Sequence, residues 1–354
     1  MVDKMKVVLI SSGTLPVPVP GYGGLEQVVA DLAISLDAMG HDVSVVAPTE
    51  STIGKFGKIK LIDGGHCNPN AHEWEQQAYG VYRPMMDSEE FKDAVWHDHS
   101  WKKGAYIAKM ENPKLKVCST LHGMLCYHTP PPVQKPSMIG ISKHHADSIS
   151  AGLGIPVRFV YNGIDLEKYK IGDVKRSDRY LFLARMTTFK GAHVFIDLMK
   201  QLGKEGDLVG DDTLVEDKGY VERLLMACNE YPKVRYWGGV PRSMAVDFFR
   251  KTKLYILPCG QGWQEPFGLT VVESQACGTP VLATASGAIP ELIEQGKTGL
   301  VVAGQQDLKA ALESGILDKI KPSDCRKNAE KFSRENMAKG YENLYLEVLE
   351  RGGW

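Results

Sequence analysis

The chain has 354 residues, a formal net charge of −1 and 43% hydrophobic residues, values typical of a soluble globular protein of two ordinary domains. A net charge so close to zero gives no support to a general nucleic-acid-binding role. Seven scattered cysteines without a CxxC pair argue against a disulfide framework and a structural zinc site, and favour a reducing cytosol.

The N-terminal stretch MVDKMKVVLISSG passes from a short charged lead directly into a strand-like run. Its apolar part is too short for a signal peptide or a membrane span. We therefore expect a cytoplasmic protein without a transmembrane segment, for which peripheral membrane contact stays open.

Short apolar runs rich in β-branched residues alternate with helix-like stretches along the chain. The predicted strands are Val7–Ile10, Val43–Val46, Val95–Asp98, Lys116–Leu121, Met138–Ser142, Phe159–Tyr161, Tyr180–Ala184, Val234–Trp237, Leu254–Leu257, Val281–Ala283 and Gly299–Val302. The predicted helices include Leu25–Met39, Ala192–Leu202, Tyr220–Asn229, Ser243–Arg250, Leu269–Cys277 and a long last helix from near Ser333. This alternation predicts an α/β fold with parallel sheets covered by helices on both faces.

A polar stretch, IGDVKRSDR at 171–179, is expected to be a linker between two doubly wound, Rossmann-like domains. The first domain is predicted over 1–170 and the second over 171–332. Ligands of such domains bind at the carboxyl ends of the strands, so two of them facing each other predict a central cleft. The last helix, 333–354, is expected to cross back to the first domain.

A glycine-rich turn with Gly21, Gly23 and Gly24 opens into the helix that begins near Leu25. Glycine permits close backbone approach, and a helix N-terminus offers free N–H groups to an anion. The pattern is neither GxGxxG nor a P-loop. Phosphate contact and a merely flexible connection are therefore equally good interpretations.

Two cations, Arg185 and Lys190, follow a predicted strand of the second domain. An arginine fork and a mobile lysine at the carboxyl end of a strand suit a diphosphate. Taken alone, the pair is more typical of a solvated loop with ordinary surface charges. The position after the first strand of the domain favours the functional interpretation.

The stretch WQEPFGLTVVES carries two glutamates, Glu265 and Glu273, eight residues apart. Pro266 argues against a helix before about residue 267, and Gly268 permits a tight turn. Glu265 is therefore predicted in a loop and Glu273 in an early turn of a helix, so the two do not form an acid/base pair. As an isolated pattern, the pair is better explained as a surface glutamate and a helix-terminus glutamate favoured by the helix dipole.

The segment from Glu265 to Glu273, followed by SQACGTPVLATASGAIPELI and GKTGLVV, resembles the donor site of retaining GT-B glycosyltransferases of family 4. Other segments match in the family's order: GYGGLEQVVADLA, STLHG, VYNGID, ARMTTFKGAHVFIDLMK and YWGGV. The resemblance spans almost the whole chain. Most of these motifs are weak one by one, and the ordered set is specific.

The resemblance implies a role for each matching residue. Arg185 and Lys190 would bind the diphosphate of a nucleotide sugar, and Glu273 would accept hydrogen bonds from the ribose. Glu265 would contact the transferred sugar, and His122 would lie near the anomeric carbon; these two and the two cations are the predicted catalytic set. The other implied donor-binding residues are Gly23, Gly24, Asn162, Gly163, Gly238, Phe267, Gly268, Leu269 and Thr270.

Two pairs of histidines attract attention in the first domain. His97 and His99 alternate onto one side of an extended segment, as metal ligands do, but no third ligand is evident nearby. The resemblance favours contact with the acceptor or the donor, and we treat both as acceptor-side candidates. His144 and His145, at a helix start, are expected on the surface.

Three features depart from the family pattern or lack a family role. The stretch before the acidic loop 211–217 is short and polar where the family usually has a fuller apolar strand, so this loop is expected to be unusual. The segment TPPPVQKP at 129–136 is expected to be a stiff connection, or to shape the acceptor pocket. The first domain also lacks an obvious basic amphipathic helix, which favours a soluble acceptor over a lipid.

Together these expectations describe a metal-independent retaining glycosyltransferase without a cofactor. It would transfer a hexosyl unit from a nucleotide diphosphate sugar, UDP-linked by preference, to an acceptor hydroxyl. The expected partners are a small-molecule sugar donor and an acceptor whose identity the sequence does not predict. A nucleotide-sugar epimerase and a non-catalytic nucleotide-sugar-binding protein are the alternatives.

Overall fold

The computed structural model describes residues 3–21, 23–123, 131–210 and 217–354. The strands are β1 (Lys6–Ile10), β2 (Asp42–Ala47), β3 (Lys60–Asp63), β4 (Val95–Asp98), β5 (Lys116–Thr120), β6 (Met138–Gly140), β7 (Arg158–Phe159), β8 (Tyr180–Leu183), β9 (Gly206–Val209), β10 (Val234–Gly238), β11 (Leu254–Leu257), β12 (Val281–Thr284) and β13 (Gly299–Val302). The helices are α1 (Gly24–Ala38), α2 (Ala71–Met86), α3 (Gly104–Glu111), α4 (Lys143–Leu153), α5 (Ala192–Leu202), α6 (Lys218–Glu230), α7 (Arg242–Lys251), α8 (Leu269–Ala276), α9 (Ile289–Leu292), α10 (Leu308–Glu313), α11 (Pro322–Ala329) and α12 (Arg334–Arg351). Short 3-10 turns occupy Ile53–Lys55, Thr188–Lys190, Gln305–Asp307, Leu317–Lys319 and Glu330–Phe332.

These elements form two compact units, each with its own parallel sheet. The first unit consists of the residues up to Val19, then Gly23–Gly163 and Arg334–Trp354. The second unit consists of Ile164–Ser333 and the short stretch that begins at Pro20.

The sheet of the first unit has the order β3-β2-β1-β4-β5-β6-β7. Residues 7–10 of β1 are buried, and β1 lies inside the sheet between β2 and β4. From β1 the chain continues to β2 and β3 on one side of β1. It then returns to β4, which pairs with the other side of β1, and continues to β5, β6 and β7. The carboxyl ends of β1 and β4 are therefore the point where the strand order reverses, and this is where such sheets bind ligands.

The sheet of the second unit has the order β10-β9-β8-β11-β12-β13 and repeats this plan. Its central strands β8 and β11 pair in parallel, with Leu254 opposite Tyr180. The order reverses between β8 and β11. The segments that follow these two strands, 184–191 and 258–268, therefore leave the sheet side by side.

The predicted linker 171–179 packs within the second unit, because Arg176 is anchored by backbone carbonyls. Its guanidinium donates to the carbonyl oxygens of Thr252 at 3.0 Å and Cys277 at 2.9 Å. Upstream, Ile164 already forms a bridge with Ser333. The boundary between the units therefore lies between residues 163 and 164, a few residues before the predicted position.

The C-terminal helix α12 belongs to the first unit, where it packs on α1. Its buried face consists of Met337, Ala338, Tyr341, Tyr345 and Val348. A hydrogen bond on its flank joins Glu342 Oε1 to His41 Nε2 at 3.0 Å. Within the described ranges, no helix is long and apolar enough to cross a lipid bilayer.

The polar lead before the acidic loop forms a strand, β9, which the sequence analysis did not predict. All four of its residues are buried, including Asp207. Asp207 is tolerated there because Arg179 Nε donates to its carboxylate at 2.8 Å and Trp237 Nε1 donates at 2.9 Å. Residues 211–216 of the acidic loop and residues 129 and 130 of the proline-rich segment lie outside the described residues.

Candidate functional site

In the second unit, the segments after β8 and β11 bring Lys190 and Glu265 together. Lys190 closes a 3-10 turn after β8, and Glu265 lies in the loop after β11, as Pro266 predicts. The Lys190 ammonium contacts Glu265 Oε2, and the two side chains are 14% and 11% exposed. Two site residues predicted from different segments thus form one charged cluster where the strand order reverses.

Three neighbours fix the position of Glu265. Trp263 Nε1 donates to Glu265 Oε2 at 3.0 Å. The Trp263 ring is stacked on Phe189, with ring centroids 4.0 Å apart, and Lys190 Nζ lies 5.5 Å from the centroid of the same indole. A Cβ at Gly287 would lie 2.2 Å from the backbone oxygen of Glu265, so a side chain there would displace the loop.

The charge of Glu265 is stabilised despite its burial. Burial by itself raises the pKa of a carboxyl group. At Glu265, the charge of Lys190, the hydrogen bonds from Lys190 and Trp263, and the charge of Arg185 outweigh burial, so the pKa lies below its ordinary value. Glu265 is therefore an ionised hydrogen-bond acceptor at neutral pH, and a sugar hydroxyl is a suitable donor to it.

Arg185 lies near the same cluster with an unused donor. Its Nε is buried, and within the described ranges of the chain it has no hydrogen-bond partner. Thr187 Oγ1, two residues on, is in the same situation. Because buried polar groups in proteins are nearly always paired, these two unpaired atoms make Arg185 and Thr187 candidates for contact with a ligand.

The start of α8 offers backbone groups to the same edge of the sheet. Gly268 precedes the helix with φ 110°, a conformation that favours glycine, and the first turn contains Leu269 and Thr270. The first N–H groups of a helix lack partners inside it and carry partial positive charge. The Phe267 side chain is buried against Phe332, so the side chain itself is not exposed to a ligand.

Glu273 is buried in α8, 5% exposed, and is paired with groups of its own unit. Arg242 Nη1 donates to Glu273 Oε1 at 3.3 Å and to the Tyr169 hydroxyl at 3.3 Å. Burial, followed by the charge of Glu273, raises the pKa of Tyr169 well above its ordinary value. Glu273 thus has a fixed orientation, with a cation on one side.

Gly238 ends β10 with φ 65°, and a Cβ there would meet no atom within 4 Å. Its carbonyl oxygen accepts from Gly210 N–H at 3.0 Å. Space beside this glycine is what an approaching ligand would need, and its positive φ explains why glycine occupies the position.

In the first unit, three histidines at the carboxyl ends of β4 and β5 form a chain of hydrogen bonds. His97 Nδ1 lies 3.2 Å from His99 Nε2, and His99 Nδ1 lies 2.8 Å from His122 Nε2. His97 and His99 lie on one side of their extended segment, as the alternation predicted, and their ring centroids are 3.9 Å apart. At its inner end the chain reaches Tyr345 and Thr120, at 2.7 Å and 2.8 Å from His97.

Burial keeps these imidazoles neutral. The pKa values of His97, His99 and His122 lie well below the ordinary histidine value, first because of burial and then because of nearby positive charge, including that of Lys103 for each ring. His97 and His99 are 0% and 1% exposed. The geometry therefore gives no support to direct contact of these two rings with an acceptor, and places only His122 at the end of the chain.

Metal ligation by these histidines has no support in the geometry either. Each nitrogen-to-nitrogen contact in the chain is a hydrogen bond, which leaves no position between the rings for an ion. Across the residues that the structure describes, no group of three histidine, cysteine, aspartate or glutamate side chains is arranged to hold a metal.

His145, which was expected on the surface, is buried at 1% exposure. Its Nδ1 accepts from the Ile141 N–H at 3.3 Å, and its Nε2 lies 2.8 Å from the Gly123 carbonyl oxygen. The expectation failed because the two backbone groups provide partners that make burial of the ring favourable. Burial lowers the pKa of His145 to about 4.

The glycine-rich turn faces a carboxylate. Gly23 has φ 142°, and a Cβ there would lie 2.6 Å from Val19 Cγ1 and 3.1 Å from Glu26 Oε2. Ser12 Oγ donates to the buried Glu26 carboxylate in the first turn of α1, which starts at Gly24. The helix N-terminus is thus already stabilised by a negative charge, and a phosphate there would meet electrostatic repulsion.

Asn162 and Gly163 end the first part of the first unit. Asn162 is 3% exposed, and its Oδ1 has no hydrogen-bond partner among the described residues. The Gly163 N–H donates to Met337 Sδ of α12 at 3.0 Å. Gly163 therefore serves the packing of α12, whereas Asn162 keeps an unpaired acceptor.

Sequence reasoning missed several residues that shape these sites. Trp263 stands two positions before Glu265, inside the quoted stretch, and an aromatic residue so close to a predicted sugar contact was a usable signal. The others are brought in from distant parts of the chain by the fold, and no local pattern marks them: Glu26, Arg242, Tyr341 and Tyr345.

Two family models match the chain, one on each half. The model described as Glycosyltransferase Family 4 matches residues 22–168, and the model described as Glycosyl transferases group 1 matches residues 164–332. A D-inositol 3-phosphate glycosyltransferase of Streptomyces bingchenggensis is 21% identical, over 97% of this chain and 90% of that relative.

Solved structures share the two-domain α/β fold. Sucrose-phosphate synthase of Thermosynechococcus elongatus superposes with a TM-score of 0.79 at 18% identity, covering 98% of this chain and 99% of that one. Anabaena HepE in complex with UDP and glucose gives a TM-score of 0.73 at 19% identity, covering 96% of this chain and 98% of that one. Likeness at such low identity concerns the fold.

Proposed function

We propose, from the premise that this chain belongs to the family 4 glycosyltransferases of the GT-B fold, that its second unit binds a nucleotide diphosphate sugar for transfer to an acceptor hydroxyl. Membership of the family makes the chain a hexosyltransferase. The donor, the stereochemistry and the independence from metal are our proposal.

The cluster of Arg185, Lys190 and Glu265 is the observation that carries the proposal. It combines two cations with an ionised acceptor at the place where the strand order reverses. An anionic diphosphate next to a hydroxyl-rich sugar has the complementary pattern. The unpaired Arg185 Nε gives the diphosphate a donor that no described part of the chain uses.

The leaving group explains why cations are needed. A nucleoside diphosphate departs with developing negative charge, and fixed donors aimed at that charge lower the barrier more than a proton donor would. Arg185, Lys190 and the N–H groups at Gly268 and Leu269 supply such donors. Since they can provide the charge that Mg²⁺ provides elsewhere, we propose that transfer needs no metal.

Lys190 has two partners available in this scheme. In the free chain it contacts Glu265, which keeps its ammonium in the site. When the donor binds, the diphosphate can share the ammonium, which has three N–H donors. Glu265 then has accepting capacity for a sugar hydroxyl, while Trp263 continues to hold the carboxylate.

We propose UDP as the nucleotide and retention of the anomeric configuration. The fold neighbour HepE was solved with UDP and glucose, which supports a uridine donor. Glu273, fixed by Arg242, is the proposed acceptor for the ribose hydroxyls, and Gly238 leaves space for the base. Retention follows the family resemblance, in which the acceptor attacks from the face that the leaving group departs from.

A panel of UDP-, ADP- and GDP-sugars, incubated with candidate acceptors and analysed by mass spectrometry, tests the proposal. We expect transfer from a UDP-hexose, with an anomeric NMR coupling in the product that matches the donor. Inversion of the anomeric centre would refute retention. Transfer only from ADP- or GDP-sugars would refute the choice of nucleotide.

Incubation with the donor alone separates the two alternatives. An epimerase would convert the sugar without an acceptor, and a non-catalytic protein would bind the donor without producing anything. We expect at most slow release of free sugar. No observation in the structure favours either alternative.

Substitution of Glu265 tests the site itself. We expect Glu265→Ala to reduce transfer by at least about 100-fold, because the sugar loses a charged acceptor in a shielded site. Lys204→Ala, which removes an exposed cation of the same unit, should transfer at the wild-type rate. Activity of Glu265→Ala near that of the control would remove Glu265 from the mechanism.

A further inference from the structure

The histidine chain of the first unit runs from His122 to the C-terminal helix. It continues from His97 through Tyr345 on one branch and through Thr120 on the other. The Thr120 hydroxyl lies 3.0 Å from the hydroxyl of Tyr341, also on α12. Every ring and hydroxyl beyond His122 is buried.

The contacts between the rings restrict where the protons lie. A neutral imidazole has one N–H donor and one lone-pair acceptor, and each nitrogen-to-nitrogen contact needs one of each. If His99 Nδ1 donates to His122 Nε2, then His99 Nε2 must accept from His97 Nδ1. The three rings therefore carry their protons either all on Nδ1 or all on Nε2.

The hydroxyl groups distinguish these two states. With all protons on Nε2, the single lone pair of His97 Nδ1 would have to accept from Tyr345 at 2.7 Å and from His99 at 3.2 Å. With all protons on Nδ1, His97 donates toward both acceptors in a three-centre bond. Its Nε2 then accepts from the Thr120 hydroxyl, which in turn accepts from Tyr341.

We propose that His97 and His99 are positioning residues, which together with Thr120 and the two tyrosines of α12 hold His122 in the tautomer with the proton on Nδ1. We call this chain of hydrogen bonds from α12 to His122 the relay. Within it, His122 Nε2 accepts from His99 Nδ1. Its remaining polar group is an N–H donor with a fixed position.

This inference rests on the proposed function where it assigns a use to that donor. A neutral His122 that presents an N–H can hydrogen-bond an oxygen of the acceptor, but it cannot remove a proton through that nitrogen. Such a role agrees with a reaction in which the departing phosphate, and not the protein, accepts the acceptor's proton.

Ring ¹⁵N chemical shifts of histidine-labelled protein test the relay, since a protonated and an unprotonated imidazole nitrogen resonate far apart. At pH 7.5 we expect His97, His99 and His122, assigned by single substitutions, to show a protonated Nδ1. His145 is an internal control, because its Nδ1 accepts from a backbone N–H and its Nε2 faces a carbonyl oxygen. It must show the opposite tautomer in the same spectrum.

His97→Phe tests whether a change at His97 alters the tautomer of His122, two rings away. It keeps an aromatic ring but removes the donor to His99, so the His122 signals should move toward a mixture of tautomers. Unchanged His122 shifts in the folded variant would overturn the relay. Should the variant not fold, the wild-type spectrum decides, because a protonated Nε2 on His122 contradicts the proposal.

The readout separates this inference from the proposed function. The tautomers are measured without substrate, so the relay can be confirmed in a chain that transfers no sugar. Conversely, transfer activity together with an Nε2-protonated His122 would leave the enzyme assignment intact and refute the relay.

Discussion

Glu265 keeps a negative charge although only 11% of its side chain is exposed. Lys190 and the indole N–H of Trp263 are its direct partners, and Arg185 adds a nearby positive charge. The loop position followed from Pro266, and the family resemblance suggested the role. The ion pair itself was not predictable, because Lys190 is 75 residues away and only the sheet topology brings the two segments together.

The lowered pKa of Glu265 predicts a dependence of stability on pH. A carboxyl whose pKa is lower in the folded than in the unfolded state stabilises the fold above the unfolded pKa of about 4.3, and this contribution is lost as the pH falls through the folded pKa. Glu265→Gln should therefore cost about 2 kcal/mol in the free energy of unfolding at pH 7 and less at pH 3. Urea unfolding at both values measures this.

Glu222→Gln is the matched control, since Glu222 is an exposed glutamate of the same unit. Its free energy of unfolding should follow the wild type at both pH values. A Glu265→Gln curve parallel to the wild type from pH 7 to 3 would show that the Lys190 contact does not favour the ionised carboxylate.

Trp263→Phe isolates the indole N–H, because the phenyl ring can still stack on Phe189. Loss of a hydrogen bond to a charged group is worth about 1.5–3 kcal/mol, so we expect the catalytic efficiency, kcat/KM for the donor, to fall roughly 10- to 100-fold. Trp263→Ala also removes the stacking and should fall further. Equal efficiencies of Trp263→Phe and wild type would show that the N–H contact is not needed.

At the scale of elements, the strands were predicted best. The bounds of β4, β11 and β13 match the predicted runs. A short apolar run of this length is typical of a buried strand in a parallel sheet. β9 was missed because the charge of Asp207 is atypical of a buried strand. Arg179, which pairs with Asp207, directly precedes β8, so no local pattern marks the pair. Helix α2 was missed as well: its pattern contains Gly80 and Pro84, residues that normally mark breaks.

Helix α12 should contribute to the stability of the first unit through its buried face. Met337 is 2% exposed, and its sulfur accepts from a backbone N–H. Met337→Ala leaves a cavity and should lower the free energy of unfolding by about 2–5 kcal/mol. Lys339→Ala, on the exposed face of the same helix, should stay within about 0.5 kcal/mol of the wild type in urea unfolding. Equal midpoints for both variants would mean that α12 is not packed as described.

At the scale of the molecule, both units use one plan, and both candidate clusters lie where the strand order reverses. Sequence periodicity predicts this plan, because alternating buried strands and helices leave few other topologies. Side-chain partners across the sheet are not encoded locally. The tautomer relay illustrates this, since it joins residues 97 and 345 of one chain.

The proposed independence from metal concerns the whole enzyme and can be tested directly. With Arg185 and Lys190 supplying the positive charge, transfer rates in excess EDTA should remain within about twofold of those with Mg²⁺. Loss of activity in EDTA that Mg²⁺ or Mn²⁺ restores would contradict this part of the proposal.

The central claim is that the second unit binds a nucleotide diphosphate sugar through Arg185 and Lys190. Calorimetric titration of UDP-sugars into the wild type, Arg185→Ala, Lys190→Ala and the control Lys204→Ala tests it most directly. We expect wild type and control to bind with the same Kd, and each site variant to bind roughly 10- to 100-fold more weakly, the loss of one charge-assisted contact. Absence of binding of any nucleotide sugar to the wild type, or equal Kd values in all four proteins, would contradict the claim.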